Sequence, residues 1–270
     1  MGSESSVPQK IIDYAMKQET ITLEDIIQNF NVSRTTAKNY LSRLAKMDIV
    51  KRIGRGIYQV GKGTTATAEL SPELSRLAQD LKRSFPMAKF VIWSINMLAD
   101  YAHYAIGRDL TVIETDRILS PSMRDTLIQK GYHAILNPEK RDFQEYAYYG
   151  EKSVFVLERN EAYGLSKLDE TIVPTPERIW LDIYYFITRK GLNFSPGELG
   201  LIFTNMLRKE GVNFNRLLRY ARRRNLRDEI IIFLYNLKQS SPLLIPDNIF
   251  TGKKEAVEII KEMVEGATKE

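Results

Sequence analysis

Apolar residues recur at helical spacing in three consecutive segments near the start of the chain. The first begins at Pro8, which suits the first position of a helix, and ends near Glu19. The second has Thr22 three residues before Asp25, the spacing of a capping box, and Ser33 is the predicted N-cap of the third. The predicted inward stripes are Ile11, Ile12, Ala15 and Met16, then Leu23, Ile26, Ile27 and Phe30, then Ala37, Tyr40, Leu41, Leu44 and Met47. The spacing therefore predicts three amphipathic helices.

Residues 49–60 follow a different pattern, with β-branched and aromatic residues on either side of Gly54-Arg55-Gly56. This predicts a short β-hairpin with a glycine-rich tip. Three helices followed by such a hairpin are the elements of a winged helix-turn-helix. Residues 61–67 are rich in Gly and Thr, so we expect a first domain at 1–62, followed by a linker and linker helix at 63–86.

From Met87 onward, short apolar runs alternate with helical segments. Residues 89–93, 110–114, 133–136 and 153–157 are predicted buried strands. From Thr175 the chain is predicted to be helical, because Ser, Thr, Asn and Pro mark successive helix starts. The expected fold class is mixed α/β (α+β). An N-terminal winged helix-turn-helix would be followed, in residues 87–270, by a small mixed α/β layer that a C-terminal helical bundle closes.

Composition narrows the function classes. The chain of 270 residues has no cysteine, which excludes disulfides and thiolate metal sites, and His103 and His133 lack the spacing of metal ligands. No apolar run approaches the roughly 20 residues that span a bilayer, and residues 1–6 are too polar for a signal peptide. We therefore expect a cytoplasmic protein without a metal, a cofactor or a membrane partner.

Positive charge is concentrated in the first predicted domain. The whole chain has a formal net charge of +5. Residues 1–62 hold ten Lys and Arg against six Asp and Glu, a net charge of +4. Most of the excess charge therefore lies where a winged helix would approach the phosphates of DNA.

The outer face of the third predicted helix carries side chains suited to a DNA groove. With Ala37, Leu41 and Leu44 turned inward, a step of roughly 100° per residue places polar residues outside. Asn pairs with adenine, Lys or Arg reaches guanine, and Ser or Thr binds phosphate or a base edge. Glycines at the hairpin tip permit close approach to DNA. The predicted DNA-binding residues are Ser33, Arg34, Thr35, Lys38, Asn39, Ser42, Arg43, Lys51, Arg52 and Arg55.

A second basic cluster lies in the C-terminal half. Residues 208–227 contain eight Lys and Arg against one Glu, a net charge of +7. Arg219, Arg222 and Arg223 are candidate contacts to phosphates or to an acidic partner. The alternative is that these arginines only solvate one face of a bundle helix. The sequence leaves both interpretations open.

The chain resembles the AbiEi-like antitoxins of type IV toxin–antitoxin systems. The resemblance lies in the N-terminal winged helix and in four further segments: Val91-Ile92-Trp93-Ser94, Thr111-Val112-Ile113-Glu114, Pro174-Thr175-Pro176-Glu177 to Asp182, and Leu218-Arg219-Tyr220-Ala221-Arg222-Arg223. It implies a transcriptional regulator that represses its own operon by binding operator inverted repeats. It also implies a neighbouring nucleotidyltransferase-like toxin, opposed directly or only functionally by the C-terminal domain.

Two other functions compete with this interpretation. Glu114 and Asp116 follow a predicted strand and could hold Mg²⁺ in a nucleotidyltransferase- or nuclease-like enzyme. Against this, Ile106-Gly107-Arg108-Asp109 lacks the serine of a Gly-Ser turn, so we expect no catalytic residues. The other function is a DNA-tethered adaptor whose C-terminal bundle binds protein. No heptad repeat is visible, so we expect a monomer or a weak dimer on DNA.

Overall fold

The chain forms two compact units in the computed structural model. The residues described are 7–18, 20–47, 49–54, 56–60, 70–107, 109–150, 152–159, 161–209, 211–242, 244–245 and 249–250. One unit is Met1–Thr65 with Met206–Glu270, and the other is Ala66–Asn205. The first unit is therefore built from two stretches that are far apart in sequence.

The N-terminal stretch of the first unit consists of short helices and a small sheet. The elements are α1 (Gln9–Met16), β1 (Thr20–Thr22), α2 (Leu23–Phe30), α3 (Arg34–Lys46), β2 (Val50–Gly54) and β3 (Ile57–Val60). The strands are antiparallel in the order β1-β3-β2. This is the element order of a winged helix-turn-helix, as the sequence predicts.

Local capping signals fix where α2 and α3 begin. The Asp25 amide donates to Thr22 Oγ1 at 3.1 Å and the Thr22 amide donates to the Asp25 carboxylate at 2.7 Å, which completes the predicted capping box. Asn31 ends α2 in the left-handed conformation, with φ of 47°. Two residues later, Ser33 Oγ accepts from the Thr36 amide at 3.1 Å and caps α3. The turn between the two helices is therefore only three residues long, 31–33.

One apolar core joins these helices to the sheet. Its fully buried members include Ala15, Ile21, Ile26, Leu41 and Leu44. The inward positions predicted for Met16 and Met47 were wrong, because these side chains are 69% and 52% exposed. Met16 is the last residue of α1 and Met47 follows the last residue of α3. The chain turns at both places, so the helical stripe no longer applies there.

The C-terminal stretch of the first unit packs on the small sheet. It contains the end of α8 (Pro196–Lys209), α9 (Phe214–Arg223) and α10 (Arg227–Ser240). Helix α9 contacts strand β2, and Gln59 Nε2 on β3 donates to the Leu207 carbonyl. Gly211, with φ of +78°, lies so close to the sheet that a Cβ there would come within 2.6 Å of Ile53 Cγ2. The segment that enters α9 is therefore fitted directly against β2 and β3.

The second unit is built around a mixed four-stranded sheet. Its elements are α4 (Pro72–Ser84), β4 (Phe90–Ser94), β5 (Thr111–Thr115), α5 (Ser120–Gln129), β6 (His133–Leu136), α6 (Lys140–Glu145), β7 (Ser153–Glu158), β8 (Leu165–Leu168), β9 (Thr171–Pro174) and α7 (Pro176–Tyr185). The main sheet has the order β4-β5-β7-β6, with β4 antiparallel to β5 and β7 parallel to both β5 and β6. Each of its strands lies within one residue of its predicted position.

The mixed α/β fold class is therefore confirmed, with partly parallel strands followed by helices α7 to α10. The hairpin β8–β9 was not predicted, because Ser166 and Lys167 interrupt the apolar pattern of the four-residue strand β8. The expected helix through Arg189 begins at Pro176 and passes into a π-helical turn at Phe186–Lys190.

Candidate nucleic-acid interface

Helix α3 separates an apolar face from a polar one, as a recognition helix must. Its inward residues Ala37, Leu41 and Leu44 are fully buried. Residues Arg34, Thr35, Lys38, Asn39, Ser42 and Lys46 are exposed, and Arg43 is half-buried. Burial of one face against α2 and the sheet holds the helix rigid, so the polar side chains are presented on a fixed support.

The centre of this polar face is available for contacts. Ser42 lies four residues after Lys38 and three after Asn39, so its side chain is a neighbour of both on the helix surface. Within the described ranges, the side chains of Lys38, Asn39 and Ser42 make no hydrogen bond or ion pair. Asn39 therefore keeps both its amide donor and its carbonyl acceptor for a ligand, the pair of groups that adenine requires.

Two predicted DNA-binding residues at the start of α3 already have partners. Ser33 Oγ accepts from the Thr36 amide and lies 2.9 Å from Thr36 Oγ1. Arg34 Nη1 lies 3.3 Å from Glu24 Oε1 on α2, and both side chains are at least half exposed. An exposed pair of this kind contributes about 0–1 kcal/mol, so Arg34 can exchange Glu24 for a phosphate at small cost. Ser33, in contrast, is needed for the helix itself.

The hairpin β2–β3 is a short wing whose tip is held against α2. The Gly56 carbonyl accepts from the Leu23 amide at 2.8 Å, and Gly56 has φ of +74°. Gly54 is buried beside Ile57, with a register shift between Arg52 and Gly54. The backbone conformation and packing of the hairpin itself therefore explain both glycines.

The basic side chains of the wing differ in exposure. Arg52 is exposed and its Nε donates to the Gly54 carbonyl at 3.1 Å, whereas Lys51 is half-buried. The third predicted wing residue, Arg55, lies outside the described residues. Of the predicted wing contacts, Arg52 is thus the best presented among the residues that are described.

The second arginine cluster lies on α9, in the same unit as α3. Arg219, Arg222 and Arg223 are exposed, while Leu217 and Tyr220 of the same helix are buried. The sequence alone does not reveal that this helix contacts β2. No local signal could have revealed it, since more than 150 residues separate the two elements.

The residues weighed for metal-dependent catalysis have other partners in the second unit. Glu114 is buried and accepts from Trp93 Nε1 at 3.0 Å and from Arg178 Nη2. Arg159 Nη1 lies 3.8 Å from Glu114 and 3.1 Å from Asp182. Burial raises the pKa of Glu114, whereas Arg159 and Arg178 favour its charged form. This carboxylate therefore belongs to a charge-balanced structural cluster.

Asp116 lies just before α5 and accepts hydrogen bonds from backbone amides. Its Oδ1 accepts from the Ile118 amide at 2.9 Å and from the Leu119 amide at 3.0 Å. In the part of the chain that the structure describes, no group of three or more His, Asp or Glu side chains is placed to hold a metal ion. Glu114 and Asp116 thus serve two separate structural functions.

The comparisons with known proteins agree with the geometry of the N-terminal stretch. Residues 9–61 match the family described as transcriptional regulator, AbiEi antitoxin. This stretch, which includes α1 to β3, is therefore similar to AbiEi antitoxin regulators, and for these residues the resemblance stated from the sequence is confirmed.

Most of the chain matches a second family. Residues 36–240 match DUF6577, a family of unknown function, and the chain belongs to that family. A search of curated proteins gives no match. Among the helices of the described residues, none has the length and apolar character needed to cross a membrane.

Proposed function

We propose that this protein is the antitoxin and autorepressor of a type IV, AbiE-like toxin–antitoxin operon, and that it acts by binding duplex DNA and not by catalysis. The match of residues 9–61 to AbiEi antitoxin regulators is the observation that carries the proposal. The division of α3 into a buried apolar face and an exposed polar face supports it. The description of that family supports the broader part of the proposal, a DNA-binding transcriptional regulator.

In this proposal α3 lies in the major groove and the wing lies on the DNA backbone. Asn39 reads an adenine and Lys38 a guanine, because both side chains lie at the centre of the exposed face. Thr35 and Ser42 bind phosphate or base edges nearby. Arg34, Arg43, Lys51, Arg52 and Arg55 supply positive charge around this centre.

The remaining chain, residues 87–270, supplies the antitoxin-type function in this proposal, with the wing domain at 1–62 and the linker at 63–86. Operator inverted repeats are each bound by one copy of the protein, as a monomer or a weak dimer on DNA. The toxin is a nucleotidyltransferase-like protein in the cytoplasm, opposed directly or only through its function.

The experiment that tests the proposal is a mobility shift with the full-length protein. The probes are the DNA upstream of its own gene and a scrambled duplex of the same composition, at two salt concentrations. We expect tighter binding to the upstream DNA. Equal binding to both duplexes would contradict autorepression.

Substitutions on α3 sharpen this test. Asn39→Ala or Lys38→Ala is expected to weaken binding to the upstream duplex by about 5- to 150-fold, because a lost base contact costs roughly 1–3 kcal/mol. Binding to the scrambled duplex changes less. Gln28→Ala and Lys17→Ala are matched controls, since both residues are exposed in the same unit but lie off α3. Equal losses on both duplexes would contradict a role of α3 in base reading.

A further inference from the structure

A cavity of about 320 Å³ lies in the first unit, between the small sheet and the end of α8. Protein interiors are packed tightly and hold few voids larger than a water molecule, whereas pockets for small organic ligands begin at roughly 300 Å³. The described residues that line the cavity all belong to the first unit. The cavity is therefore of ligand size and lies within one compact unit.

Much of the cavity wall is apolar and comes from separate parts of the chain. The apolar lining residues are Ile53 on β2, Val60 on β3, Leu207 on α8 and Leu244 beyond α10. The segment beyond α10 is held to that helix, because Lys238 Nζ donates to the Ile245 carbonyl at 3.1 Å. The walls on β2 and β3 are held by antiparallel pairing of these strands. Such a wall favours a ligand with an apolar body.

Two polar side chains at the cavity are available for a ligand. Arg208 is exposed and Gln18 is half-buried, so solvent reaches this side of the cavity. Among the residues that the structure describes, neither side chain has a hydrogen-bond or ion-pair partner. A guanidinium suits a carboxylate, to which it can donate two parallel hydrogen bonds.

A third polar side chain of the lining, Gln59, uses only one of its two groups. Its Nε2 donates to the Leu207 carbonyl, whereas Oε1 is buried and accepts no hydrogen bond from the described part of the chain. Buried acceptors are nearly always paired, so an unpaired one requires an explanation. A hydroxyl or N–H group of a bound molecule supplies one, because Gln59 itself lines the cavity.

We propose that this cavity binds a small organic carboxylate that has an apolar body and one hydroxyl or N–H donor. Arg208 pairs with the carboxylate, the apolar lining residues enclose the body, and Gln59 Oε1 accepts from the donor. The bound molecule lies against β2 and β3, the strands of the wing. This inference concerns binding of a small molecule and does not rest on the proposed function.

The test measures binding of para-hydroxyphenylacetate, which has all three features, to the full-length protein by isothermal titration calorimetry. Two related probes each lack one feature, since phenylacetate has no phenolic hydroxyl and the alcohol tyrosol has no carboxylate. Tyrosol should bind at least about tenfold more weakly, because it loses a hydrogen bond between charged groups. Phenylacetate should bind about 2- to 12-fold more weakly, because it loses a neutral one.

Variants assign each group of the probe to a side chain. Arg208→Gln should weaken binding of para-hydroxyphenylacetate at least about tenfold and leave binding of tyrosol unchanged. The control Arg76→Gln removes the same charge from an exposed position of α4 in the second unit and should bind as the wild type does. Gln59→Leu should abolish the preference for para-hydroxyphenylacetate over phenylacetate.

A fourth variant tests the cavity itself. Val60→Phe should abolish binding of all three probes, because the larger side chain occupies the space that the ligand needs. Thermal melting verifies that each variant is folded. Arg208→Gln changes an exposed side chain, so it tests the site even if a substitution in the wall prevents folding.

Three results would overturn the inference. The first is that the wild type does not bind para-hydroxyphenylacetate. The second is equal binding by Arg208→Gln and Arg76→Gln, which would place the carboxylate elsewhere. The third is unchanged binding by a folded Val60→Phe variant, which would place the ligand outside the cavity. None of these results concerns duplex DNA, so failure of this inference is distinct from failure of the proposed function, which the mobility shift tests.

Discussion

Helices α3 and α9 belong to one unit and share a design, yet their exposed faces differ in chemistry. Both bury an apolar stripe, led by Leu41 in α3 and by Leu217 in α9. The face of α3 mixes amide, hydroxyl and ammonium groups, whereas that of α9 is almost purely guanidinium. A face with several kinds of polar group can distinguish bases, whereas a face of one kind of cation responds to charge. Periodicity therefore predicts which residues of a helix are exposed, but only their side-chain chemistry predicts what they bind.

The largest effect should come from the glycine that fits α9 to the sheet. Gly211→Ala places a Cβ against Gln59 Oε1 and 2.6 Å from Ile53 Cγ2, at a residue with φ of +78°. We expect a loss of about 2–4 kcal/mol in the free energy of unfolding, from strain and overpacking combined. Denaturant unfolding measures it.

The control for this change is Gly200→Ala on α8, where nothing lies within 4 Å of the added Cβ. This variant should be as stable as the wild type or slightly more so, because alanine favours a helix. If Gly211→Ala were as stable as Gly200→Ala, the segment before α9 would not pack against β2 and β3 as described. Helices α3 and α9 could then not be compared as parts of one unit.

The next effect separates folding from recognition within α3. Ser33→Ala removes the cap that accepts from the Thr36 amide and should lower stability by about 1 kcal/mol. Ser42→Ala, at an exposed position without a side-chain hydrogen bond in the described structure, should leave stability unchanged. Thermal melting measures the stability of both variants, and duplex binding measures their recognition of DNA. An unchanged stability in Ser33→Ala would contradict the assigned cap, and a loss in Ser42→Ala would contradict the assignment of Ser42 to the free face.

The smallest effect concerns the wing. Arg52→Ala should lower the salt slope of binding by about one phosphate contact and weaken all duplexes alike. The stability of the Arg52→Ala variant should change little. The side chain is exposed, and the hydrogen bond described for it is the one that its Nε donates to the Gly54 carbonyl. A sequence-dependent loss, measured on the two duplexes used for α3, would place Arg52 among the base-reading residues instead.

Elements with strong local signals could be predicted from the sequence. The capping box at Thr22 and the cap at Ser33 set the starts of α2 and α3, and their apolar stripes identified Leu41 and Leu44 as core. Strands β4, β5 and β7 were also found, because buried strands are runs of apolar residues. Strand β6 was found at its predicted position, but its predicted burial was wrong, because it lies at the edge of the sheet.

Contacts between distant residues could not be predicted. The ion pair of Glu114 with Arg178 joins residues 64 positions apart, so the local sequence around Glu114 is equally compatible with a metal ligand. Strand β1 has only three residues, too few for an alternating pattern. Nothing in the local pattern indicates that Leu207 meets Gln59. Such packing is decided by the whole fold and not by any one segment.

The discontinuous first unit has a consequence for how the protein is made. On the ribosome, the strands β2 and β3 emerge about 150 residues before α9, an interval of roughly 7–30 s at 5–20 residues per second. During that time the sheet lacks the helix that packs on it. A chain interrupted in translation therefore presents a winged helix without its C-terminal partner, and only the finished polypeptide has the whole unit.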